Sequence, residues 1–123
     1  MKSTRLFLVA ILATTLWSCN NEFTTPLDCI DSSQVENTSW FKEYIAQFEE
    51  RNDGYWYLQV GSYNFQTVYL PGNCCPYCST VPAVLNCQGE QIGVLGTRDG
   101  QIDPDEIKDV QVIWRSPDFK CQL

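Results

Sequence analysis

Residues Trp40–Leu70 read WFKEYIAQFEERNDGYWYLQVGSYNFQTVYL, and this stretch decides the fold. In its first part Trp40, Phe41, Tyr44, Ile45 and Phe48 recur at helical spacing, so they form one apolar stripe on a helix over 40–51. Lys42, Glu43, Gln47, Glu49 and Glu50 take the opposite side. Ser39 is the expected N-cap, and Asn52-Asp53-Gly54 is the stop, with Gly54 suited to a left-handed cap. The composition then changes. Tyr55–Leu70 is dense in aromatic and β-branched residues, which predicts two strands, about 55–62 and 66–70, around a turn near Tyr63-Asn64-Phe65.

Outward from this block, Pro71-Gly72-Asn73 is expected to end the second strand. A strand over 81–86 follows, then a turn at Gln88-Gly89-Glu90 and a returning strand over 91–95. Asp99-Gly100 marks another turn. Asp103-Pro104-Asp105-Glu106 has the form of a helix start, with Asp103 as N-cap and Pro104 at the first helical position, for a short helix at about 104–109. Val110–Arg115 alternates and closes as a strand. The expected fold class is α+β: one amphipathic helix packed on an antiparallel sheet of about four to five strands, stapled by disulfides.

Toward the N-terminus, Met1–Cys19 reads MKSTRLFLVAILATTLWSC. Lys2 and Arg5 precede an apolar run, Leu6–Leu16, that is too short for a ~30 Å hydrocarbon layer, which takes roughly 20 helical residues. This is the pattern of a secretory signal. Leu16-Trp17-Ser18-Cys19 resembles the bacterial lipobox, with Trp17 departing from the usual small residue. The resemblance implies cleavage after Ser18 and acylation (palmitate) of Cys19, which would tether the chain to a membrane. The expected organisation is a signal peptide at 1–18, a polar tether at 19–28 and one disulfide-rich domain at 29–123.

The chain has 123 residues and seven cysteines. Beyond Cys19 these are Cys29, Cys74, Cys75, Cys78, Cys87 and Cys121. An even number in a small exported chain reads as a disulfide framework. A Cys74–Cys75 bond would be strained, which disfavours pairings that contain it. The expected arrangement joins Cys29 and Cys87 to the central group, with Cys121 pinning the tail.

Two motifs offer chemistry. Cys75-Pro76-Tyr77-Cys78 resembles the redox dithiol of glutaredoxins, and Thr80-Val81-Pro82 resembles their TVP segment. That dithiol opens a helix after a first strand, whereas Ser79-Thr80-Val81-Pro82 is unsuited to a helix interior. Structural disulfides are therefore the expected role, with a thiol–disulfide oxidoreductase as the alternative. Metal binding by Cys74, Cys75, Cys78 and Cys87 lacks a second CxxC or a His. Asp99–Glu106 resembles the second half of an EF-hand loop, with Asp99, Asp103 and Glu106 as weak Ca²⁺ candidates. Leu95 stands where the first Asp ligand belongs and Thr97 at the third position.

Composition narrows the functions further. There is no His, which removes Ser–His and Cys–His nucleophile pairs. The balance of 8 Lys+Arg against 15 Asp+Glu, a formal net charge of −7, argues against nucleic acid as a partner. No catalytic set and no cofactor motif is legible.

Several further features match a known group. They are the lipobox Cys19, Cys29-Ile30, the amphipathic helix, Thr67–Leu70, the Cys74-Cys75 doublet and Leu85–Ile92 before a glycine-containing segment. On these the chain resembles a family of small Bacteroidota lipoproteins built on a domain of unknown function. The family often has Asp after the doublet, where this chain has Pro76. The resemblance implies a lipid-anchored place in the cell envelope, at the outer membrane. The expected function is a non-enzymatic binding or accessory module for another envelope protein, acting through tyrosines such as Tyr55, Tyr57, Tyr63 and Tyr77. An inhibitor of an envelope hydrolase is the remaining alternative.

Overall fold

The apolar stripe of the helix and the alternating strands meet in one interface. The computed structural model describes residues 32–123. The segments expected to be a signal peptide (1–18) and a tether (19–28), with Cys19 and Cys29, lie outside the described residues. Helix α1 spans Ser39–Glu49, and the strands are β1 Trp56–Tyr63, β2 Gln66–Asn73, β3 Ala83–Leu85, β4 Gln91–Val94 and β5 Lys108–Arg115. They form one sheet in the order β4-β3-β2-β1-β5, with every neighbouring pair antiparallel. This is the α+β architecture expected from the sequence: one helix, a five-stranded antiparallel sheet and disulfide staples.

On one face of the sheet Leu58, Val60 and Tyr69 are buried beneath Val35 and Phe41. Trp40, Tyr44 and Ile45 of α1 pack beside them with Leu85, Ile113 and Trp114. Aromatic contacts mark the line of the helix across the strands. Trp40 meets Tyr69 edge-on at 5.1 Å, Tyr44 meets Trp114 at 5.9 Å, and Phe48 stacks on Trp56 at 4.1 Å.

The opposite face is covered as well, by the crossover from β4 to β5. Ile102 and Ile107 of that crossover join Val68, Leu70 and Val84 in a second core. Two glycines let it lie close. A Cβ on Gly61 would stand 2.8 Å from Ile107 Cγ2, and one on Gly93 2.7 Å from Ile102 Cδ1.

Several local expectations are corrected. Ser39 does not cap α1. Thr38 takes the cap position with extended backbone, makes no side-chain cap bond, and turns its hydroxyl back to donate to Val35 O at 2.6 Å. The reason is the 3₁₀ turn Ser32–Asn37, which runs directly into the helix and uses that hydroxyl for its own closure. The helix ends at Glu49, and Gly54, at φ +77°, serves a different purpose. It is buried where the C-terminal tail returns, and its carbonyl accepts from Lys120 N at 2.9 Å.

Pro71-Gly72 does not end β2, which continues to Asn73. Pro71 faces Leu58 of β1, and alternation along the ladder from the Asn64-Phe65 turn makes this a non-hydrogen-bonded pair. The proline nitrogen therefore points to the β3 side, where pairing is confined to Tyr69 and Leu85. The short helix at 104–109 is a single 3₁₀ turn, Pro104–Glu106, although Asp103 caps it as expected by accepting from Asp105 N at 3.0 Å.

Candidate functional site

Two places on the described surface carry features beyond packing. The first is a groove between α1 and β5. The helix stripe is wider than the sheet requires. Trp40, Tyr44 and Phe48 fill its centre, and Phe41, Ile45 and Ala46 run along one border. Across from them stand Ile113 and Trp114 of β5. Between the two walls lies a cavity of about 420 Å³ with an apolar floor and Glu36, Lys42 and Glu49 at its rim. β5 is the outermost strand of the sheet among the described residues, so the groove runs beside an edge that none of them pairs with. Tyr44 does not line the groove but packs edge-on against Trp114, which does. Its hydroxyl donates to Tyr57 O at 3.0 Å, and burial, reinforced by the neighbouring Tyr57, pushes its ionisation well above the ordinary tyrosine value.

The second place is the loop between β2 and β3. Cys74 pairs with Cys121, and Cys75 pairs with Cys78. Cys87 is also held in a disulfide. The four cysteines of the loop and tail are thus satisfied among themselves, and Cys87 is not joined to the central group. Cys121 pins the tail as expected. Local backbone explains the loop's shape. Cys74 N donates to Tyr55 O at 3.1 Å and extends the hairpin by one step, then Asn73 Oδ1 takes Cys75 N at 2.6 Å and turns the chain outward. Pro76, Tyr77 and Cys78 project into solvent, and Tyr77 is 96% exposed.

The other candidate residues are placed as follows. Tyr55 lies under the Lys120 ammonium, Tyr57 packs edge-on against Phe119, and Tyr63 packs on the second core. Of the four tyrosines expected to form a binding face, Tyr77 alone is exposed, because the C-terminal tail and the crossover cover the others. Asp99, Asp103 and Glu106 do not gather. Asp103 is engaged as a cap, and among the described residues no three His, Cys, Asp or Glu side chains form a group able to hold a metal ion. The disulfides likewise occupy the thiols of Cys74, Cys75, Cys78 and Cys87. No helix among the described residues is long and apolar enough to cross a membrane.

Sequence reasoning missed two things. Phe65 is fully exposed at the tip of the β1–β2 hairpin. The groove also escaped notice, because periodicity assigns all of the helix stripe to the core. The width of that stripe, two adjacent columns of apolar residues, was the available signal. Compared with protein-family models, with curated proteins and with solved structures, the chain matches none.

Proposed function

We propose that this chain is a lipid-anchored envelope protein whose folded part binds an extended segment of another envelope protein in the groove between α1 and β5. The observation that carries the reading is the apolar cavity lying along a strand edge that is free among the described residues. An extended peptide that adds to an edge strand gains affinity from its backbone and specificity from alternate side chains, which need pockets beside the edge. Ile45, Ala46, Ile113 and Trp114 offer such a pocket, and its volume suits one or two apolar side chains. Lys42, between Glu36 and Glu49, gives the rim both signs of charge. The register of β5 against β1 shifts at two places, at Ile113 beside the groove and near Asp109, which adopts a left-handed φ of 54°, so a partner strand would pair along the regular stretches on either side of these irregularities.

Anchorage rests on the sequence of Met1–Cys19, with Cys19 as the acylated residue and the outer membrane as its place. An acidic body, net −7 for the whole chain, stays off anionic lipid and leaves the groove free for a protein partner.

Ala46 is exposed and lines the groove without entering the core, so Ala46→Arg fills the site and spares the fold. The protein is cross-linked in intact envelopes and its adducts are identified. The expected result is one abundant protein adduct with the wild type that Ala46→Arg abolishes. An adduct of equal yield in both, or none in either, overturns the reading.

A further inference from the structure

The β2–β3 loop holds two disulfides of unlike kind. Cys74–Cys121 joins residues 47 apart, whereas Cys75–Cys78 joins residues 3 apart. Closing so short a ring removes less freedom from the unfolded chain than closing the long one, because closure entropy grows with the logarithm of loop length. The loop is also turned without it: Cys78 N donates to Cys75 O at 3.3 Å, and Asn73 Oδ1 holds Cys75 N. The Cys75–Cys78 bond therefore has the smaller structural task of the two. Its position is open. Cys78 is exposed, as are Pro76 and Tyr77 inside the ring and Ser79–Pro82 after it, while Cys75 is half-buried. Exchange needs a thiolate to reach a sulfur, and exposed disulfides are the labile ones. Asn73 supplies one more feature. Its Nδ2 is buried with no partner among the described residues, a spare donor two residues from Cys75.

We infer that Cys75–Cys78 is a thiol–disulfide exchange site that accepts two electrons from a protein or peptide carrying a pair of thiols. One partner thiolate attacks Cys78 Sγ. The Cys75–Cys78 bond breaks, a partner–Cys78 bond forms, and the electron pair leaves on Cys75 Sγ, which takes a proton from water. The partner's second thiolate then attacks its own sulfur in the mixed disulfide and releases Cys78 as a thiolate, which is protonated in turn. The partner's dithiol ends as a disulfide, Cys75 and Cys78 end as thiols, and the two protons lost by the partner are balanced by the two gained. Cys74–Cys121 keeps the fold closed meanwhile. This site is separate from the groove, and neither depends on the other.

The test uses the oxidised full-length protein. Limited dithiothreitol is added under native conditions, thiols are trapped with iodoacetamide, and the labelled cysteines are mapped by mass. Labels on Cys75 and Cys78 are expected at least roughly tenfold sooner than on Cys74, Cys87 or Cys121, as accessibility dictates. In parallel, the oxidised protein is mixed with a reduced dithiol peptide. One peptide disulfide is expected per protein, and the Cys75→Ser/Cys78→Ser double variant is expected to form none. Labelling no faster at Cys75 and Cys78 than at Cys74 and Cys121 overturns the inference. So does rapid labelling accompanied by no peptide oxidation. The labelling arm needs no variant, so a folding defect in the double variant leaves the test decisive.

Discussion

Phe65 is the residue most at odds with its surroundings. Asn64 and Phe65 are the two central residues of the β1–β2 turn, with φ of 48° and 62°. A two-residue turn with both angles positive matches strand twist, and it favours Asn followed by Gly. Asn64 fits that pattern, while Phe65 places an aromatic side chain in left-handed backbone at 105% exposure. Left-handed backbone costs an ordinary residue about 1–2 kcal/mol, and the added freedom of glycine in the unfolded chain costs about 0.5–1 kcal/mol. Phe65→Gly is therefore expected to raise stability by about 0.5–1 kcal/mol, read as a higher urea midpoint. A fall would mean that the ring makes a stabilising contact. Tyr44 gives the opposite kind of residue effect. Its hydroxyl is buried and neutral, and its pKa in the folded chain lies above the unfolded value near 10. Its contribution is fully present below pH 10 and is lost as pH rises beyond it, because the unfolded chain gives up the proton first. Tyr69, also raised by burial, adds to the same slope. Denaturant titration above pH 10 should show stability falling with pH, and Tyr44→Phe should make that fall shallower.

At the scale of elements, the loop from β3 to β4 is built around one side chain and one glycine. Asn86 Oδ1 accepts from Gln88 N at 3.0 Å and Glu90 N at 2.9 Å, and Gly89, at φ +76°, closes the turn. Trp40 lies on this loop and donates from Nε1 to Cys87 O at 2.9 Å. A Cβ at Gly89 would stand 2.6 Å from the indole. Gly89→Ala combines left-handed strain with overpacking, so a loss of about 2–3 kcal/mol is expected by chemical denaturation. The turn itself was legible in Gln88-Gly89-Glu90, and so were the helix, both hairpins and the Asp103 cap, because each rests on local spacing or turn chemistry. What stayed hidden depends on distant partners. Pro71-Gly72 reads as a stop until β3 is seen to leave the proline nitrogen unopposed. Tyr55 and Tyr57 read as surface until Phe119 and Lys120 return over them. The groove arises from Phe41 and Ile45 facing Ile113 and Trp114, residues far apart in the chain.

For the whole molecule the disulfides differ in weight. By loop-closure entropy, Cys74–Cys121, with its 47-residue separation, contributes about 4 kcal/mol, against about 2 kcal/mol for Cys75–Cys78. Thermal melts should accordingly show Cys121→Ser lowering the midpoint about twice as far as the Cys75→Ser/Cys78→Ser pair. Acylation rests on a single residue in the proposed reading, so Cys19→Ala should abolish incorporation of labelled palmitate, read by metabolic labelling of the full chain.

The Cys74–Cys121 link also alters how the polypeptide responds to cutting. It encloses β3, β4, the crossover and β5 within one covalent ring. A protease that severs one peptide bond anywhere between those two cysteines opens the ring but frees no fragment. The nicked chain would run at its full mass on a gel until a reductant is added, and only then separate into two bands.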